Sequence, residues 1–367
     1  MVYTLEKAQN KGRFMATPRD NLLRTMRRQG FETVPLDISL CPAQVEAFKK
    51  RFGHADYLSW FKVPFRHAGV PMQAGYKDGR ALFRRETLPE NAQIDVFGVG
   101  HSAQPGCYHM THMHHPLAGD PSLQEVLDYP LPDLAPDADV QLKAHTGEVH
   151  AQGLAVMGGM ACTIWEIAWY IRSMEDLMMD MMTDDERAAP HLDKIMRNGI
   201  ERVKAYARAG VDIIQLGDDI GMQKSIMMSM ALWRKWIKPR TAAIIRAGRE
   251  IKPDLLFFYH SCGYIIPFIE ELIEIGIDIL NPVQPECMDF DEVHKLVRGR
   301  ASFWGGIGTQ STLPFGSPDD VRAVVRARLE RCGKAGGIVI APTHLVEPEV
   351  PWENLRAMAE AAWEFRA

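Results

Sequence analysis

The sequence predicts a (β/α)8 barrel, and three observations predict it. Five strand-then-helix units follow one another in the C-terminal half, with connections short enough to require parallel strands and right-handed crossovers. Their apolar runs are continuous rather than alternating, as strands covered on both faces must be. Polar groups stop these runs again and again at the end where such a barrel carries its active site.

Each element follows in order. Residues 1–16 read as a loose leader, expected to hold no signal peptide because it lacks an apolar core. Thr17 as N-cap and Pro18 at the first helical position start a helix that runs through Leu23 and Met26 to Gly30. Residues 34–38 read as a first strand, and 42–61 as helix broken near Gly53. The stretch 70–140 is irregular, with one strand at 94–97 and a Pro-dense surface excursion at 116–136. A third strand at 154–157 ends in Gly158-Gly159, and helices are expected from Ile164 and over 191–209. Strands at 211–216, 255–259, 277–281, 301–304 and 338–341 then alternate with helices at 231–252, 265–275, 289–297, 318–332 and 352–363. One domain is expected over 1–367, with 1–150 as elaboration plus first strands and 151–367 as regular units. An open doubly wound sheet is the runner-up, but no G-x-G-x-x-G follows a strand.

Bulk composition excludes several function classes. A hydrophobic share of 46% with 24% charged residues is that of a globular protein, and a net charge of -5 disfavours nucleic acid and anionic membrane. No run reaches the roughly 18–20 apolar residues that span a bilayer. The six cysteines form no C-x-x-C pair, so reduced thiols and a cytoplasmic location are expected. Methionines bunch at 173–182 and 227–230, either as adaptable core filler or as a malleable surface.

The chemistry concentrates at the strand ends. His260 and Cys262, one residue apart, face the same side if the chain stays extended, and His344 lies on the same rim. A thiolate with two imidazoles is a catalytic zinc set when a further position stays open. The alternative is a buried cysteine beside a hydrogen-bonded histidine. Glu286, Asp218 or Asp219 can add an oxygen. The pair Asp218-Asp219 also reads as general acid and base, with N-capping of the next helix as the competing role for one of them. His344 is a candidate catalytic group too. Asp95, Gln284 and Gln310 at strand ends are expected to contact substrate. So are His112 and His115 in the string His109–His115, read as a lid or substrate loop rather than a second metal site.

Four strings carry a family resemblance: GDDIG (217–221), HSCGYIIPFIEELIEIGIDILNPVQ (260–284), FWGGIGTQ (303–310) and APTHLVEPEVPWENLRAM (341–358). They resemble the uroporphyrinogen decarboxylase superfamily over about residues 150–365, and the resemblance implies a TIM barrel. It further implies one of two chemistries: cofactor-free decarboxylation of a tetrapyrrole, or zinc-dependent methyl transfer to or from a cobalamin corrinoid. His260 and Cys262 match the H-x-C of the methyltransferases, which usually carry cysteine where this chain has His344. The decarboxylases have histidine there, within a G-H-G string that here reads Thr343-His344-Leu345. Their arginine-bearing M-R-Q-A-G-R string has no counterpart after the first strand. The expected function is therefore zinc-dependent methyl transfer between a small methylated compound and a corrinoid. No D-x-H-x-x-G string occurs, so the corrinoid is expected on a separate protein. The resemblance also implies a homodimer. The alternatives are a cofactor-free decarboxylase and a non-catalytic corrinoid-binding barrel.

Overall fold

A computed structural model describes residues 16–104 and 111–366. Cys107, His109 and the expected leader up to Met15 lie outside the described residues. The strands in chain order are β1 (Phe65–Ala68), β2 (Met72–Gln73), β3 (Gln93–Ile94), β4 (Gly100–Ala103), β5 (Thr111–His114), β6 (Asp133–Leu134), β7 (Ala155–Met160), β8 (Ile213–Gly217), β9 (Leu256–His260), β10 (Ile279–Asn281), β11 (Ser302–Ile307) and β12 (Ile338–Pro342). One parallel sheet has the order β1-β7-β8-β9-β10-β11-β12. The segment 34–38 extends it, because Asp37 N–H donates to Ile340 O at 3.0 Å and Ile340 N–H to Pro35 O at 3.1 Å.

The sheet is curled. Phe65 on β1 and Trp304 on β11 are five strands apart in the ladder, about 24 Å on a flat sheet. Their ring centres are 5.2 Å apart, and Trp304 also meets Phe258 of β9 at 5.5 Å. Every residue of β11 and β12 is buried, so helices must cover the outer face. The predicted barrel fold is borne out.

Two strand expectations are corrected. The run 94–97 is not a barrel strand: Gln93–Ile94 pairs antiparallel with β4 in a separate three-stranded sheet. A short run bounded by Gly98 does not by itself distinguish hairpin from barrel strand. Its place in the barrel is taken by β1, whose Phe-Arg-His-Ala string lacks an apolar signature. Arg66 turns back to the carbonyls of Val63 and Phe65, at 3.1 and 2.8 Å, and His67 faces the barrel interior.

The helix Pro18–Met26 begins as expected, with Thr17 and Asp20 forming a reciprocal cap. In the helix Met174–Thr183 Met181 is buried in the core, while Met179 and Met182 are exposed. No helix among the described residues is long and apolar enough to cross a membrane.

His191, in the helix Ala188–Ala209, is buried and its Nε2 lies 3.0 Å from the carbonyl of Ala168. Burial lowers its pKa from 6.5 to about 4. Between those values the unfolded chain takes up a proton that the folded chain refuses. Its contribution is therefore complete above about pH 6.5 and falls by about 3 kcal/mol as pH drops towards 4. Denaturant unfolding of wild type and His191→Gln at pH 7.5 and 4.5 is expected to show the smaller pH loss in the variant.

Candidate functional site

The site forms where the loops after β8 and β9 cross. Asp218 N–H donates to His260 O at 3.1 Å, which carries the β8–β9 ladder one step past the strand end. Gly221 and Gly263 then lie back to back: a Cβ on Gly221 would sit 2.7 Å from Cys262 O, and one on Gly263 2.6 Å from the Gly221 carbonyl carbon. Only glycine permits that approach. It brings Asp219 under Cys262, whose N–H donates to Asp219 Oδ1 at 2.7 Å. Gly221→Ala is accordingly expected to push the two loops apart and to weaken metal retention by about tenfold or more. Metal titration of the folded variant against a chromophoric chelator checks this.

Asp219, His260 and Cys262 each offer a donor atom, all within 4.8 Å of one another. Cys262 Sγ is 3.5 Å from His260 Nε2, and Asp219 Oδ1 is 3.6 Å from the same nitrogen. Two ligands of one tetrahedral zinc, at about 2.3 and 2.0 Å from the ion, stand about 3.5 Å apart. Asn281 fixes the imidazole: its Nδ2 donates to Trp304 O at 2.7 Å, so its Oδ1 faces His260 Nδ1 at 2.5 Å. Nδ1 then carries the proton and Nε2 is left as a lone-pair donor. Mixed nitrogen, sulfur and oxygen donors suit zinc.

The electrostatics favour a cation. Burial, then Asp219, Glu166 and Cys287, pushes the Cys262 thiol far above its ordinary value. Burial and the neighbouring Asp218 and Asp219 push Glu166 up to about 8. The ionisable groups acting on that sulfur are all acids, an environment in which a thiolate would need a cation beside it.

Asp218 and Asp219, adjacent in sequence, do different things. Asp218 is fully buried and accepts the N–H groups of Thr163, Ile164 and Glu166 at 3.0–3.2 Å, at the start of the helix Trp165–Arg172. It lines neither of the two rim cavities. Burial raises its pKa to about 7, and the backbone donors oppose that rise. Those donors favour the ionised form of Asp218 and leave Glu166 the more readily protonated of the two. Neither acid caps the next helix, Met230–Trp236, whose N-cap is Ser229; Asp218 instead holds the start of a helix that precedes it in sequence.

His344 is exposed in the loop after β12, its ring centre 6.4 Å from that of His260. It stands beside the tight donor group rather than in it. Two cavities meet there. An inner chamber of about 220 Å³ has His260 at its lip and Asp37, His67, Gln215 and Trp304 in its wall. An outer cavity of about 310 Å³ opens over Cys262, edged by Gln223, Gln284 and Gln310. Thr343 and His344 line both. Glu286 Oε1 accepts from Ser311 and the Gln310 N–H, at 2.5 and 3.3 Å, and so holds the Gln310 loop.

Asp95, His112 and His115 lie apart from this place and line neither cavity. Asp95 folds its own turn, accepting from the N–H groups of Phe97 and Val99 at 2.9 and 3.0 Å. His112 stacks edge-on to His114, and His115 Nδ1 lies 2.8 Å from the carbonyl of Tyr170. Conversely, sequence reasoning passed over Asn281, Glu166, His67 and Asp37. Asn281 was visible as a polar residue ending an apolar strand, and Glu166 as an acid in the first turn after a rim strand.

Fold and site together define a β/α-barrel with a mixed-donor cluster at its C-terminal rim. The profile of the Uroporphyrinogen decarboxylase (URO-D) family matches residues 116–365, and the chain belongs to that family. The resemblance carried by GDDIG, HSCG and the C-terminal strings is borne out. Methylcobamide:CoM methyltransferase MtaA of Methanosarcina barkeri is 25% identical over 213 residues, 58% of this chain and 59% of that protein. Uroporphyrinogen decarboxylase of Coxiella burnetii is 22% identical over 178 residues, 47% of this chain and 46% of that one. The alignments thus span 59% or less of the length of these curated relatives. Among solved structures, a methyltransferase from Methanosarcina mazei superposes with a TM-score of 0.65, over 95% of this chain and 98% of that one. At 17% identity that likeness shows the fold alone.

Proposed function

We propose that the protein is a zinc-dependent methyltransferase that moves a methyl group between a small methylated compound and a corrinoid carried by a separate protein. The observation that carries this reading is the Asp219–His260–Cys262 donor group, with His260 held by Asn281 in the metal-binding tautomer. The curated relatives include methyltransferases and decarboxylases, and the donor chemistry favours the former.

Asp219, His260 and Cys262 would hold the ion, with His344 next to it across the mouth of the inner chamber. Zinc at such a site supplies a Lewis acid that polarises a methoxy or amine leaving group or turns a thiol into a thiolate. Asn281 orients His260, and Asp218 anchors the helix that presents Glu166. Glu166 keeps a proton beside Asp219, whose N–H it accepts at 3.3 Å. The side-chain amides of Gln223, Gln284 and Gln310 at the outer cavity match the carboxamide fringe of a corrin ring. The inner chamber, about 220 Å³, is sized for one small ring. For scale, a cavity of about 150 Å³ accepts benzene.

The test follows cobalt absorbance with the purified full chain, cob(I)alamin and a panel of small methyl ethers and methylamines. Methylcobalamin should form, stop forming after chelation and resume on adding zinc. Turnover indifferent to chelation, or release of carbon dioxide from a porphyrinogen, would contradict the reading.

A further inference from the structure

The hairpin that carries the histidine string holds a second cluster of reactive groups, away from the rim cavities. Strands β4 and β5 pair antiparallel, with Ser102 opposite His112 and Gly100 opposite His114. Alternation along each strand puts these four residues on one face, with Ser102 and His114 as diagonal neighbours. That diagonal is hydrogen-bonded: His114 Nε2 lies 3.0 Å from Ser102 Oγ. Across the ring, Nδ1 lies 2.5 Å from Glu86 Oε1. Gly100 makes room for the imidazole, since a Cβ there would stand 3.0 Å from the Cβ of His114.

A carboxylate only accepts, so Glu86 keeps the proton on Nδ1 and turns the Nε2 lone pair towards the hydroxyl. Ser102 is then the donor. This is the resting hydrogen-bond order of an acid–imidazole–serine triad. Burial follows the same order: His114 is 5% exposed, while Ser102 is half-buried and open to solvent. His112 supplies the remaining group. It is exposed and directly opposite Ser102, with its ring centre 4.7 Å from that of His114. Opposed residues hold their Cβ atoms about 4.5–5.5 Å apart, so a ring N–H of His112 can reach an oxyanion formed at Ser102. The other face of the hairpin lacks such a group. There His101 sits between Asp95 and Thr111, at 3.2 and 2.9 Å, but Ala103 stands opposite the threonine.

We propose that Ser102, His114 and Glu86 form a second catalytic centre, one that hydrolyses small unhindered esters and works without the metal. Ser102 Oγ bonds to the acyl carbon as its proton passes to His114 Nε2; the ester C–O bond breaks, and the leaving oxygen takes that proton. Water then repeats the exchange, releasing the carboxylic acid and restoring the hydroxyl. Glu86 stays ionised and stabilises the imidazolium formed between the two transfers. Ser102 lines neither rim cavity, which is why the substrate class is small esters rather than the methylated compound. Nothing here rests on the methyltransferase reading.

The probe is a fluorophosphonate, which phosphonylates an activated serine hydroxyl with loss of fluoride. It is applied to the purified full chain with and without a chelator, and the label is located by peptide mass spectrometry. Ser102 should carry it in both samples. A label absent from Ser102, or lost on chelation, would overturn the proposal. Hydrolysis of 4-nitrophenyl acetate should fall about tenfold or more in Ser102→Ala and in His114→Gln; an unchanged rate in folded Ser102→Ala would remove the nucleophile. Glu86 acts through His114, so Glu86→Gln should lower kcat by about tenfold or more and leave KM within about twofold. Unchanged kcat there would remove Glu86 from the centre. If a variant does not fold, the position of the label on the wild-type chain decides alone.

Discussion

Cys262→Ala is expected to leave the barrel folded, to lose the bound zinc and to lower methyl transfer by more than about 100-fold. The bound is set by comparison with the supporting shell, whose loss typically costs about 10–100-fold in metal affinity or activity. Cys262 is a donor itself, so its loss should exceed that range. Asn281→Ala should fall within it, because the imidazole stays but its tautomer is no longer imposed by the Oδ1 contact at 2.5 Å. Cys262→Ser distinguishes chemistry from shape. The hydroxyl fills the same space but does not give up its proton as a zinc-bound thiol does, so Ser should resemble Ala. Metal content of each purified variant, measured beside its turnover, is the check. Full zinc content in Cys262→Ala would remove the sulfur from the site.

The second large effect is on stability rather than chemistry. Asp218→Ala leaves two buried N–H groups, those of Ile164 and Glu166, without an acceptor, while that of Thr163 keeps the Gly217 carbonyl at 2.9 Å. Each buried donor left without a partner costs about 1–3 kcal/mol, so a loss of about 2–5 kcal/mol is expected. Asp218→Asn keeps an acceptor oxygen in place and should lose no more than about 2 kcal/mol. If Asp218 acted on substrate, the pattern would invert: Asn would be nearly as stable as wild type and as inactive as Ala. Denaturant midpoints and turnover per folded molecule for both variants separate the two roles.

The barrel was legible because its later strands are uninterrupted apolar runs, and the packing that demands them is the same packing that buries β11 and β12 completely. β1 was not legible for the opposite reason. A strand that lines a polar chamber with His67 and turns Arg66 back on the chain has no hydrophobic period to read. The run 94–97 had such a period and belongs to a hairpin.

The site divides in the same way. His260 and Cys262 could be paired from spacing alone, since an extended chain repeats its direction every two residues. Asp219 could not be separated from Asp218, because which carboxylate turns inward is decided by the helix start at Thr163, far away in sequence. Asn281 and Glu166 act through contacts that only the fold brings together. His112 and His115 drew notice as a cluster of ligand-type residues, but the hairpin that carries them stands apart from the rim cavities.

The central claim is that one cation is gripped by sulfur, imidazole and carboxylate at the mouth of this barrel. Zinc K-edge X-ray absorption of the purified full chain measures it most directly. The account predicts stoichiometric zinc with a single sulfur neighbour at about 2.3 Å and nitrogen or oxygen neighbours at about 2.0–2.2 Å, and loss of the zinc itself in Cys262→Ala. Zinc bound without any sulfur neighbour, or a metal-free chain that still transfers methyl groups at full rate, would contradict it.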